Sequence, residues 1–177
     1  MAKAIFLDRD GTLNEDNGYV HKVENLKILP GVIEGLRLLQ KDYLFFIITN
    51  QSGIARKYYN EKDFLKFNNH LLEKLALEDI RIERTYFCPH LSSCDCRKPS
   101  TKFIEEIVKE FDINLIYSWV IGDHPSDILM GIKAGCKTAY LLTGHGIKHI
   151  SELEKNSIKP TIIEEDFLKA AQKIKND

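Results

Sequence analysis

The sequence predicts an α/β fold: a doubly wound parallel sheet with helices on both faces. Three observations predict it. Strand-like apolar runs alternate with amphipathic helical patterns along the 177 residues, which is the signature of βαβ units. The clearest runs, such as Ala4-Ile5-Phe6-Leu7 and Leu44-Phe45-Phe46-Ile47-Ile48, are continuous rather than alternating, so those strands are covered on both faces. No repeat, low-complexity stretch or inter-domain linker interrupts the pattern, and residues 1–177 are expected to form a single domain.

Each element has its own signal. Ala4–Leu7 is the first strand and ends in two carboxylates one residue apart, Asp8 and Asp10, followed by Gly11. A polar loop runs from Glu15 to Leu29. Pro30-Gly31 then introduces a helix to about Lys41, with Val32, Leu36 and Leu39 on one face. Tyr43–Thr49 is a central strand. Glu61–Glu78 is amphipathic, with Phe64, Phe67, Leu71, Leu72 and Leu75 at helical spacing. Ile82–Phe87 is the third strand, and Cys88–Pro99 is a loop. Lys102–Phe111 is a helix facing the core with Phe103, Ile104, Ile107, Val108 and Phe111. Trp119–Ile121 is the fourth strand and runs into Gly122-Asp123. A helix over Ser126–Lys133, a strand over Lys137–Leu142 and a short sixth strand over Pro160–Ile163 follow. The tail, Asp166–Lys175, is a helix that Asp166 can cap.

Composition narrows the function classes. A net charge of −1 gives no whole-protein field to attract nucleic acid or an anionic membrane. Met1-Ala2-Lys3 leads straight into the first strand, without a signal peptide, and no apolar run is long enough to span a bilayer. A cytoplasmic monomer acting on a small molecule is the expectation. Of four cysteines, Cys88, Cys94 and Cys96 cluster near His90, which in a reducing compartment suggests a metal site. Cys136 reads as a small packed residue.

The strand ends repeat one theme. The first ends in Asp8 and Asp10, the second in Thr49-Asn50-Gln51-Ser52-Gly53, and Arg97-Lys98-Pro99 follows the third. The fourth ends in Gly122-Asp123, with Asp127 four residues on. In a parallel sheet these ends share one edge, where ligands bind. Paired carboxylates there repel unless a hard divalent cation compensates, and oxygen ligands suit Mg²⁺. That inventory suits phosphoryl transfer to a carboxylate. Phosphate monoesters require on the order of 20 kcal/mol or more of barrier lowering, supplied mostly by positioning and charge stabilisation. Asp8 is the candidate nucleophile and Asp10 the acid/base. Thr49 and Lys98 are candidates to hold phosphoryl oxygens, and Asp8, the Asp10 carbonyl and Asp123 to hold Mg²⁺.

Together, Asp8-Arg9-Asp10-Gly11-Thr12, the strand-end Thr49, Lys98 in Arg97-Lys98-Pro99, and Gly122-Asp123 with Asp127 resemble the haloacid dehalogenase-like phosphohydrolases. The motifs occur in that family's order across roughly the whole chain. The resemblance implies Mg²⁺-dependent phosphatase chemistry through an aspartyl-phosphate on Asp8.

Cys88-Pro89-His90-Leu91-Ser92-Ser93-Cys94-Asp95-Cys96 supplies three thiolates and an imidazole, the donor set of a closed, structural tetrahedral Zn²⁺ site. A small zinc-binding loop over residues 88–96 would stiffen the approach to Arg97 and Lys98. With Thr49-Asn50-Gln51-Ser52-Gly53-Ile54-Ala55-Arg56, this loop is similar to the family of heptose 1,7-bisphosphate 7-phosphatases and histidinol-phosphate phosphatases. Asp16-Asn17-Gly18-Tyr19-Val20-His21 and Arg56 favour the heptose branch. That resemblance implies substrate contacts from Asp16, Asn17, Gly18, Tyr19, Asn50, Gln51, Ser52, Arg97 and Lys98. Arg97 would pair with the phosphate that is not cleaved. His124 stands where the family has lysine, which weakens any anion contact there. The short span from His90 to Cys94 is nearer the histidinol branch.

Other residues are read more plainly. Tyr19 and His21 can also serve to pin the loop from Glu15 to Leu29. His145 reads as a turn residue between Gly144 and Gly146, and Asp127 as a helix-start carboxylate behind the metal site. No large helical insertion follows the first strand or precedes Lys98, so no large cap domain is expected and the mouth of the site is open. Two further readings stay open: removal of a 3′-phosphate from a nucleic-acid end, and a zinc-containing interaction module without catalysis.

Overall fold

The computed structural model describes residues 1–92 and 94–177; Ser93, part of the cysteine loop, lies outside them. Among the described residues six parallel strands form one sheet in the order β3-β2-β1-β4-β5-β6. They are β1 (Ala4–Leu7), β2 (Leu44–Asn50), β3 (Arg84–Cys88), β4 (Trp119–Gly122), β5 (Lys137–Leu141) and β6 (Ile162–Glu164). The helices are α1 (Val32–Leu39), α2 (Glu61–Ala76), α3 (Lys102–Phe111), α4 (Pro125–Ala134), α5 (Gly146–Lys155) and α6 (Phe167–Lys175). The chain winds outward from β1 to β3, returns to place β4 beside β1, and winds outward again. The switch point between β1 and β4 is where such sheets open a crevice at their carboxyl edge.

Alternation within β1 divides the core. Ile5 and Leu7 face one side with α1, α2 and α6, where Leu36, Phe67, Leu71 and Phe167 are fully or almost fully buried. Ala4 and Phe6 face the other with Ile104 and Ile107 of α3 and Met130 of α4. Each large apolar side chain so buried contributes roughly 1.5–3 kcal/mol. Ile5 and Phe6 pair with Phe45 and Phe46 on one side and with Trp119 and Val120 on the other, so β1, which carries Asp8 just past its end, is held between two neighbours.

Helix starts follow local chemistry. Asn60 and Asp63 close a reciprocal capping box on α2, and the Asp166 carboxylate accepts from the Lys169 N–H at 2.8 Å on α6. Three elements depart from the sequence reading: β6 runs over Ile162–Glu164 rather than Pro160–Ile163, and β3 and α5 differ as follows. β3 begins at Arg84 rather than Ile82; it is an edge strand, half exposed over most of its length, so burial does not mark its start. Helix α5 falls where the sequence reading has no element; it sets Ile147, Ile150 and Leu153 at helical spacing but is poorly buried. Of its residues only Gly146 and Leu153 are buried, while Ile147 is 71% exposed. No described helix is long and apolar enough to cross a membrane.

Candidate active site

The carboxyl ends of β1, β2 and β4 and the loop after β3 converge on a cavity of about 570 Å³. Its wall includes Asp8, Asp10, Thr49, Lys98 and Asp123, so the four strand ends singled out in the sequence do meet. Asp16, Gly18, Tyr19, Asn50, Gln51, Ser52, Arg97 and His124 also line it. Asn17 and Arg56 are exposed and lie outside that wall.

Lys98 sits at the centre and is 5% exposed. Its Nζ donates to Asp8 Oδ1 at 2.7 Å and to the Ile48 carbonyl at 2.9 Å, and lies 2.6 Å from Asp127 Oδ1. Burial alone would lower its pKa, but the charges of Asp127 and Asp8 outweigh burial and raise it. Asn50 Oδ1 accepts from the Lys98 N–H at 3.1 Å and fixes the backbone that carries the cation.

The carboxylates are short of positive charge. Burial, with the charges of Asp127 and Asp10, pushes Asp8 up to about 6 against the pull of Lys98. Burial, then Asp8 and Asp127, pushes Asp123 up to about 8. Oxygens of Asp8, Asp123 and Asp127 lie within 4.8 Å of one another, with Lys98 paired to only two of the three. This all-oxygen, charge-deficient cluster fits a divalent cation such as Mg²⁺. Asp123 is wedged in place: a Cβ on either Gly11 (φ +83°) or Gly144 (φ +50°) would collide with its Oδ2. Asp127 also begins α4, its Oδ2 accepting from the His124 N–H at 3.1 Å.

The Asp10 side chain turns away from that cluster. Arg9 Nε and Asn14 Nδ2 donate to its Oδ1 at 2.9 and 3.0 Å; Arg9 Nη2 and Gln51 Nε2 donate to its Oδ2 at 2.7 and 2.8 Å. Burial would raise the carboxyl, but the Arg9 charge and these donors together hold it below the usual carboxylate range. Arg9 is fully buried, stacked 5.1 and 4.7 Å from the rings of Phe64 and Phe67. Its role could have been suspected from its place between the two acids, but the aromatic pair that seats it lies on α2.

The rim carries aromatic and imidazole groups. Tyr19 takes a left-handed backbone (φ +54°) and meets Tyr58 edge-on at 4.8 Å. The His21 ring stacks on Tyr59 at 4.7 Å and its Nδ1 lies 2.8 Å from the Tyr19 carbonyl, so His21 pins this loop. His145 does more than turn the chain. Its N–H donates to Asp123 Oδ2 at 2.7 Å, and its ring Nε2 lies 3.1 Å from Asp16 Oδ2, linking the strand-end acid to the rim loop. His149, also missed in the sequence, joins the wall 4.7 Å from the His124 ring. Burial, and then His149, holds the His124 imidazole below its usual pKa, so this ring is neutral near pH 7.

Beside the cavity, donor atoms of Cys88, His90, Cys94 and Cys96 gather within 4.8 Å of one another. The sulfur of Cys96 lies 3.0 Å from that of Cys88, 3.8 Å from that of Cys94 and 3.4 Å from His90 Nδ1. Ligands about 2.3 Å from a tetrahedral centre stand about 3.8 Å apart, so the group is compatible with zinc. Arg97 Nη1 donates to the His90 carbonyl at 3.2 Å, which ties that cation to the loop.

Comparison with known proteins agrees with this geometry. A HAD-hydrolase-like family model matches residues 95–170. The D-glycero-alpha-D-manno-heptose-1,7-bisphosphate 7-phosphatase of Campylobacter jejuni is 45% identical over 141 residues, covering 79% of this chain and 82% of that protein. The D-glycero-beta-D-manno-heptose-1,7-bisphosphate 7-phosphatase of Haemophilus influenzae is 44% identical over 151 residues, covering 80% and 82%. Among solved structures, the D,D-heptose 1,7-bisphosphate phosphatase from B. bronchiseptica, complexed with magnesium and phosphate, superposes with a TM-score of 0.87 at 28% identity over 97% of both chains. On these grounds the chain belongs to the haloacid dehalogenase-like phosphohydrolases, in the group of the heptose bisphosphate phosphatases.

Proposed function

We propose that this chain, folded as one domain, removes the C7 phosphate of D-glycero-D-manno-heptose 1,7-bisphosphate in the cytoplasm. The observation that carries the reading is the convergence of Asp8, Thr49, Lys98 and Asp123 on one cavity, in a chain 45% identical to an enzyme named for that reaction.

Asp8 attacks phosphorus through Oδ2 while Lys98 holds Oδ1. The P–O bond to the sugar breaks and an acyl phosphate forms on Asp8. Thr49 Oγ1 and Lys98 Nζ face the equatorial oxygens, where negative charge is spread in the transition state. Asp10 protonates the departing sugar oxygen, then takes a proton from the water that cleaves the acyl phosphate. The Arg9 fork favours ionised Asp10, which suits the second half of the cycle. The first half requires the carboxyl to loosen from Arg9 as the anionic substrate enters. Mg²⁺ held by Asp8, Asp123 and the Asp10 carbonyl would neutralise the crowded acids and the phosphoryl charge. Zinc on Cys88, His90, Cys94 and Cys96 would fix the loop that aims Arg97 at the second phosphate.

Steady-state kcat/KM on heptose 1,7-bisphosphate and on histidinol phosphate, with Mg²⁺, tests the substrate. A higher value on histidinol phosphate would move the chain to that reading. Asp8→Asn is expected to abolish turnover with the fold intact; retained activity removes Asp8 as nucleophile.

A further inference from the structure

Tyr59 lies in the loop between β2 and α2 and is 7% exposed. The His21 ring covers it, and a Cβ at Gly53 would collide with its edge. Its phenol O–H donates to Gln51 Oε1 at 2.6 Å. That bond and the Asp10 carboxylate on the opposite side together fix which way the Gln51 amide faces. With Oε1 held, the NH₂ group points to the other side, where it donates to Thr49 Oγ1 and to Asp10 Oδ2, each at 2.8 Å. An amide turned half a circle would set its oxygen against a carboxylate oxygen. Because Thr49 Oγ1 accepts from Gln51, its own proton is left for another acceptor. Asp10 Oδ2 is gripped between Gln51 and Arg9. Gln51 therefore lines the cavity, but both of its N–H groups are already engaged.

We propose that Tyr59 is a positioning residue that, through Gln51, sets the donor direction of Thr49 and the orientation of the Asp10 carboxylate before substrate arrives. This rests on the roles given above to Thr49 and Asp10. Burial pushes the Tyr59 phenol up to about 12, so it stays a donor across the working pH range. Neither Tyr59 nor Gln51 needs to touch the sugar for this to matter. The preset geometry counts in the transition state and not in ground-state binding.

Kinetics of Tyr59→Phe, Gln51→Leu and the double variant on heptose 1,7-bisphosphate with Mg²⁺ test it. Tyr59→Phe keeps the ring and its stack on His21, and Gln51→Met serves as the second background if Gln51→Leu folds poorly. Tyr59→Phe is expected to lower kcat on the order of tenfold with KM within about twofold. It should cost nothing further once Gln51 is replaced. A Tyr59→Phe enzyme with kcat within about twofold of wild type overturns the proposal, as do losses that multiply in the double variant or a change confined to KM. A wild type that releases no phosphate overturns it together with the function on which it rests; an active wild type with an unaffected Tyr59→Phe overturns the proposal alone.

Discussion

Lys98→Met keeps the aliphatic stem and removes the cation that Asp8 and Asp127 share. Both carboxylates lie within 2.7 Å of Nζ, and the lysine side chain is 3% exposed. Breaking a buried ion pair by deleting one partner costs about 3–5 kcal/mol, because the remaining charge is stranded. A chain of this length loses about 2–4 °C of Tm per kcal/mol. The metal-free variant should therefore melt about 6–20 °C below wild type at neutral pH. The deficit has a sign in pH. Without Lys98 the stranded acids bind protons more readily, so the gap to wild type narrows as the medium becomes acidic. Mg²⁺ should stabilise the variant more than wild type, since it meets more uncompensated charge. Loss of a donor to the phosphoryl oxygens should also reduce kcat on the order of 10²–10³-fold. Thermal melts across about pH 5 to 8, with and without Mg²⁺, and phosphate release measure all of this. A metal-free Tm within about 2 °C of wild type near neutrality, or a deficit indifferent to pH, would refute the claim that Lys98 neutralises this cluster.

The wild type should show a related pH dependence. Folded Asp123 and Asp8, at about 8 and about 6, hold protons that unfolded carboxyls at 3.8 have released. Metal-free stability therefore falls as pH rises from about 4 to 8, and the Tm gained on adding Mg²⁺ grows over the same interval; a flat gain would contradict it. The cysteine loop should bind about one Zn²⁺ per chain. Its removal by a chelator, with Mg²⁺ restored, should raise KM for the bisphosphate more than it lowers kcat, because Arg97 is tied to the loop. Unchanged kinetics in zinc-free protein would disconnect the loop from substrate binding.

The parts of this molecule legible in sequence are those whose causes are local. Continuous apolar runs named β1, β2, β4 and β5 to within about a residue, because strands covered on both faces have no polar face to blur the pattern. The edge strand β3 lacked that contrast, whereas α5 does carry a stripe, Ile147, Ile150 and Leu153, that the sequence reading passes over. The same division holds at the site. Asp8, Asp10, Thr49, Lys98 and Asp123 could be read because each stands at a strand end or just after one, and topology brings those ends together. Arg9 offered only its place between the two acids; its burial against Phe64 and Phe67 of α2 was not legible. Nor was Tyr59, whose one polar atom reaches the site through a single amide. His145 read as a turn because the carboxylate its N–H serves, Asp123, is 22 residues away.

The mouth of the cavity, which no large helical cap overhangs among the described residues, has a consequence for selectivity. An enzyme with a hinged cover excludes water by closing; here the arriving molecule must do that itself. On the proposed reaction, a ligand that reaches from the Lys98 end to the rim at Arg97 and His145 would cover more of the chamber than a compact one. A small ester leaves the door ajar, and discrimination against it falls to the size of the guest.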